Sequence, residues 1–91
     1  MLLHLGGDEM VSFKDVIAVM NLEIAQMSKE TVEFLDIARE EGFIKRISKE
    51  EPKSFVLAEV NHKSIIYFSP ISSNTLIKRM GFMDKVKKCN K

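Results

Sequence analysis

The residue types able to do chemistry in this chain are few and scattered: Cys89, His4, His62, and two adjacent carboxylate pairs, Glu40-Glu41 and Glu50-Glu51. A bound metal needs several Cys, His or carboxylate ligands at compatible spacing. His4 has no second ligand at such a spacing and reads as a strand residue, while His62 reads as an exposed turn residue. Two carboxylates acting as general acid and base must flank a reacting bond, in surroundings that hold their protonation states apart. Neighbours in sequence on stretches this charged read instead as solvated surface. A phosphate-cradling loop would place glycines between a strand and a helix, and Gly6-Gly7 stands apart from any such pattern. The expectation is a protein that is not an enzyme, with no cofactor, no metal and no small-molecule substrate.

The basic residues carry more information. The net charge of +1 conceals a division: residues 1–77 hold 8 Lys/Arg against 12 Asp/Glu, whereas residues 78–91 hold six, Lys78, Arg79, Lys85, Lys87, Lys88 and Lys91, against Asp84 alone. Such a basic end either attracts an anionic partner or keeps the chain soluble. Lys45, Arg46, Lys49 and Lys53 cluster before an apolar hairpin, and Lys14 can project from an earlier strand. These five are the candidate DNA-binding residues, and plain surface charge is the competing reading. They would contact phosphates, with little base reading in evidence. Tyr67 and Phe68 read as buried, which disfavours a stacking platform for single strands.

The elements that must position these charges follow from pattern. Ninety-one residues, 45% hydrophobic and 30% charged, make one soluble globular domain with a modest core. A single cysteine forms no internal disulfide and favours a reducing, cytoplasmic setting. No apolar run reaches membrane-spanning length, and no signal peptide is read at the start. "MLLHLGGDEMVSF" predicts two short strands around a Gly-Gly-Asp-Glu turn. A strand is expected from about Met10 to Met20, with "NLEIAQ" as a connecting loop. From Ser28 the apolar period becomes helical. Ser28 is the expected N-cap, Met27 and Val32 stand as a hydrophobic staple, Phe34, Leu35 and Ala38 share one face, and Gly42 suits the left-handed residue after the helix. A short strand follows at Ile44–Ile47, then a charged loop ending at Pro52.

"SFVLAEV-NH-KSIIYFS" predicts a β-hairpin with Asn61-His62 as its turn. Both of its strands are apolar on both faces, so the sheet must be covered on both. Two short helices cover only part of it, and a second copy of the chain is the expected cover for the rest, through Ile66, Tyr67 and Phe68. Pro70 ends the pairing, one of Ser72, Ser73 and Asn74 caps a short helix, and Leu76, Met80 and Met83 form that helix's apolar side. The fold class is α+β, with a small, mainly antiparallel sheet and two helices. Residues 1–83 form the domain and 84–91 a basic tail.

Three stretches, "HLGGDEMVSFKDVIAV", "ETVEFLDIAREEGF" and "PKSFVLAEVNHKSIIYFSPISSNTLIKRMGFM", together resemble the bacterial extracellular-matrix regulators RemA and RemB, with the RemB branch the nearer. Their order and spacing over residues 2–83 carry the resemblance. It implies a ring-shaped homo-oligomer that binds double-stranded DNA and regulates transcription of matrix or biofilm genes. In a ring, weak contacts from many subunits act together. The resemblance matches basic positions at Lys14, Lys53 and Arg79, the last on a helix where it would serve the subunit interface. Where the RemA branch has an adjacent arginine pair, this chain has Glu50-Glu51. That substitution leaves room for a regulator that binds a partner protein instead of DNA.

If the basic tail supplies nonspecific attraction, deleting residues 84–91 lowers DNA affinity and flattens its salt dependence, by about 0.9 in log–log slope for each phosphate no longer neutralised. Far-ultraviolet circular dichroism is expected to stay unchanged. An unchanged slope in a filter-binding titration would assign the tail to solubility.

Overall fold

The central hairpin forms as its pattern predicts. In the computed structural model, which describes residues 1–81, β5 (Ser54–Val60) and β6 (Lys63–Ser69) pair antiparallel from Ser54 opposite Ser69 to Val60 opposite Lys63. Asn61 and His62 both adopt positive φ, 53° and 67°, as a tight two-residue turn requires. Met83 and the tail 84–91 lie outside the described residues. Alternation along the two strands divides the core. Phe55, Ile66 and Phe68 belong to one apolar cluster, while Val56, Ala58 and Tyr67 belong to another.

Each cluster has its own cover. On the first face lie α1 (Leu22–Ala25) and α2 (Lys29–Glu40), contributing Leu22, Ala25, Leu35 and Ala38. The stretch "NLEIAQ", expected to be a loop, is thus a single helical turn, because the Asn21 side chain accepts the Ile24 amide and caps it. Ser28 caps α2 by accepting the Thr31 amide. At the other end Gly42, at φ 81°, closes a left-handed turn in which the Phe43 and Gly42 amides bond back to the Ala38 and Arg39 carbonyls. Met27, Val32 and Phe34 are exposed, so neither the expected staple nor the Phe34 packing forms. The inward stripe of α2 is narrower than its apolar content, and Leu35 and Ala38 suffice to fill it.

The opposite face is covered by a second sheet, β1 (Leu2–Gly6) and β2 (Glu9–Ser12), and by α3 (Ser73–Met80). Leu3, Leu5, Val11 and Leu76 complete that cluster, with Met80 packed against it. Ser72 is the cap of α3, accepting the Thr75 amide. The single strand expected from Met10 to Met20 is broken at a 3-10 turn, Phe13–Asp15, into β2 and β3 (Val16–Asn21). The polar pair Lys14-Asp15 occupies that break, where the chain leaves one sheet for the other. Among the described residues both faces are thus covered from within the chain, by three helices and a hairpin where two helices were expected.

The larger sheet has the order β3-β5-β6-β4, with β4 (Ile44–Arg46) parallel to β6. Parallel pairing here corrects the expectation of a mainly antiparallel sheet in one respect, and topology explains it. β3 and β4 sit at opposite edges running the same way, and such strands need a long crossover, which α1 and α2 supply over one face.

The two layers on the second face are joined by buried serines. The Ser69 hydroxyl donates to the Leu5 carbonyl at 2.6 Å and accepts from the Ile71 amide at 3.0 Å, while its register partner Ser54 donates to the Ile71 carbonyl at 2.7 Å. Replacing Ser69 with Ala leaves a buried carbonyl and a buried amide unpaired, at a cost of about 1–3 kcal/mol. In thermal unfolding that is a drop of roughly 4–8 °C per kcal/mol for a domain of this size. Ser64→Ala, at an exposed position of the same strand, should change little.

Candidate functional site

The basic residues that the sequence brings together are separated by strand direction. Lys14 lies in the 3-10 turn leading into β3, and β3 runs antiparallel to β5, so Val16 lies opposite Ala58 near the far end of β5. Lys14 accordingly shares a depression with Glu59, Asn61 and His62 beside the hairpin turn. Lys53 stands at the other end, just before Ser54. Seven strand residues at about 3.3 Å each put roughly 20 Å between them. Lys14 and Lys53, both expected to contact DNA, therefore share no common edge within one subunit.

A different group converges instead. An open cleft of about 600 Å³ is lined by Arg39, Arg46 and Lys53 together with Glu23 and Glu51, over a floor that includes Leu22 and Phe68. Each cation arrives on a different element. Arg39 comes from the last turn of α2, where positive charge suits the helix dipole, and it forms an exposed ion pair with Asp36 at 3.1 Å. Arg46 ends β4, and its Nε donates to the Ser48 carbonyl at 3.3 Å. Lys53 is fixed by its backbone: its amide donates to the Ser69 carbonyl at 2.8 Å, and its carbonyl accepts the Leu22 amide at 3.1 Å. Arg39 is not among the basic residues expected from the sequence. The signal was Gly42, whose left-handed turn leads the chain from the end of α2 directly into β4.

Lys45 and Arg46 are neighbours on a strand and therefore face opposite ways. Lys45 is the register partner of Tyr67 and Arg46 of Phe68, residues of the two different clusters. Lys45 leaves the cleft and pairs with Glu9 of β2, Nζ to Oε1 at 2.8 Å. The hydrogen bond to Glu9, reinforced by its charge, raises the Lys45 pKa above its ordinary value. Burial, with a smaller contribution from Glu9, raises that of Tyr67. Lys49 is exposed in the loop between β4 and β5, outside the lining of the cleft. Of the acidic pair, Glu51 enters the cleft lining and Glu50 does not.

The side chains expected at a subunit interface are used inside the subunit. Ile66, Tyr67 and Phe68 are 2%, 4% and 7% exposed, because α1 and α2 cover one face of β6 and the β1–β2 hairpin with α3 covers the other. Arg79 donates from Nη1 to the His4 carbonyl at 3.0 Å, tying α3 to β1. His4 itself bonds through Nε2 to the Gly7 carbonyl at 2.7 Å, closing the β1–β2 turn. His62 is an exposed turn residue, as expected. Among the described residues no three His, Cys, Asp or Glu side chains are grouped as metal ligands, and no helix is long and apolar enough to cross a membrane.

Comparison with known proteins places this geometry. The family model described as extracellular matrix regulatory protein A-like, RemA-like, matches residues 2–80. The chain is also 36% identical over 86 residues to extracellular matrix regulatory protein B of Bacillus subtilis strain 168, covering 94% of this chain and 98% of that protein. The chain belongs to the RemA-like family, as the resemblance read from its three stretches implied.

The cleft's electrostatics are directly testable with a polyanion. Glu51→Gln removes one of its two lining carboxylates without changing shape, so the variant should elute from immobilised heparin at higher salt than the parent chain. Glu50→Gln, outside the lining, should shift elution less. Equal elution of all three proteins would show that the cleft does not face the polyanion.

Proposed function

We propose that this member of a family of extracellular matrix regulatory proteins is a cytoplasmic, DNA-binding regulator of transcription, acting on matrix or biofilm genes as a homo-oligomer. The observation that carries the reading is the convergence of Arg39, Arg46 and Lys53, from three separate elements, on one open cleft. Guanidinium groups and an ammonium so placed suit phosphate oxygens, which they would engage without reading sequence. Lys49, in the loop leading to Lys53, extends the same basic edge. Lys14, at the other end of the sheet, reaches the same duplex only if another subunit brings it there. Lys45 contributes least, since Glu9 neutralises it.

Two carboxylates in the cleft favour a second reading, in which an oligomeric regulator acts by binding a protein. Glu51 stands where the related RemA branch is expected to be basic, and Glu23 shares the lining with it. A cleft of mixed charge suits an ion-paired protein partner as well as it suits a phosphate chain.

Gel retardation of duplex DNA at graded salt separates the two. For a DNA-binding regulator, Arg46→Glu and Lys53→Glu each weaken binding by similar factors on unrelated duplexes. Each also lowers the log–log salt slope by about 1 for every phosphate no longer engaged. Lys45→Glu should have the smallest effect of the three. Absence of any shift from the parent chain at low salt would rule for the protein-binding regulator.

A further inference from the structure

The two edges of the four-stranded sheet are treated differently. β4 is three residues long, Ile44-Lys45-Arg46, and two of the three are charged. Shortness and charge are how sheets keep an edge from pairing. β3 has six residues, Val-Ile-Ala-Val-Met-Asn, with neither a charge nor a proline. Its outer side takes no strand among the described residues, and Ile17 and Met20 are 57% and 41% exposed. The smaller sheet offers no comparable edge. In β1 the carbonyls of His4 and Leu5 already accept from Arg79 and Ser69, and β2 opens with Glu9, held by Lys45. Alongside β3 runs a shallow groove of about 300 Å³, mostly apolar, formed in part by Ala18, Met20, Phe34, Phe55 and Leu57.

We propose that β3 pairs antiparallel with β3 of a second copy of this chain, across a two-fold axis perpendicular to the sheet, joining two four-stranded sheets into one of eight strands. The occupant follows from the edges: β3 is uncharged, and the one described edge equal to it in length and equally free of charge is itself. A perpendicular two-fold keeps each face on its own side, so paired residues must share a face. Centring the pair on Val19 satisfies this and sets each Ala18 opposite the partner subunit's Met20. Both positions belong to the helix-side face, where Ala18 lies against Leu57 and Met20 against Phe55. The small alanine leaves space beside Phe34, which the partner subunit's Met20 fills. Exposed Phe34 is then covered, although α2 leaves it out of the subunit's own core. The contact rests on the homo-oligomer proposed above and specifies one of its interfaces. It closes at two copies, so a ring would need a second interface.

Sedimentation and cross-linking test it. Met20→Lys places a charge at the centre of the pair, on a residue exposed enough for the subunit to fold, as circular dichroism would verify. The expected result is an assembly of half the parent mass or less. In chains carrying Cys89→Ser, an equimolar mixture of Ala18→Cys and Met20→Cys proteins should form a disulfide-linked dimer on mild oxidation, since opposed strand residues are within bridging reach. A parent chain that sediments as an assembly while Met20→Lys keeps the same mass, or a mixture that forms no link, overturns the β3 contact alone. A parent chain that sediments as a single copy overturns the oligomer as well.

Discussion

The β5–β6 hairpin is the constraint on which the rest of this structure depends. Its strands are apolar on both faces, and each exposed face would leave about 25 cal/mol per Å² of apolar surface in water. Phe55, Ile66 and Phe68 on one side and Val56, Ala58 and Tyr67 on the other each demand a cover. The chain supplies two of different kinds, a pair of helices and a small sheet with a helix. The order of elements follows from that requirement. The segments before the hairpin must cross from one face to the other, and the break at Phe13–Asp15 is where they do so.

Covering both faces also creates the charged cleft. The crossover from β3 to β4 through α1 and α2 sets the end of α2, the end of β4 and the start of β5 side by side. Each of these places carries a cation, Arg39, Arg46 or Lys53. Among the described residues none is held by a buried ion pair, and all three are exposed. The carboxylates among them temper the positive potential without cancelling it. At physiological salt such charges act over about 8 Å, so only a partner entering the cleft feels them fully.

Cohesion between the layers is mainly apolar, with a few polar fasteners whose loss would cost more than their net strength. Ser54 and Ser69, opposite each other on the hairpin, bind backbone groups at Ile71 and Leu5. Arg79 and Lys45 reach from α3 and β4 to the β1–β2 hairpin. These contacts hold a two-stranded ribbon that would be marginal alone. What remains unsatisfied is β3: its outer edge and the neighbouring Met20 and Phe34 are the least finished part of the surface.

Much of the local structure was legible in the sequence. Ser28, Gly42, Asn61 and Pro70 announce a helix start, a helix stop, a hairpin turn and a strand end, because each acts locally, through a capping hydroxyl, its own backbone geometry or a missing amide. The need to cover both faces of β5 and β6 was legible too, as was the family, since three separated stretches keep their order over nearly the whole chain. What covers those faces was not, and only the tertiary structure decided it. Asn21 turns an apparent loop into helix through a local cap on the Ile24 amide, whereas the break at Lys14-Asp15 falls where the chain leaves one sheet for the other, which local pattern does not contain. The cleft was hidden for the same reason. Strand alternation sends Lys45 and Arg46 to opposite faces, antiparallel pairing carries Lys14 away from Lys53, and a helix end brings in Arg39. Sequence neighbours share a site only when the fold lets them. Here pleat and strand direction, set by which faces had to be buried, chose the residues that meet.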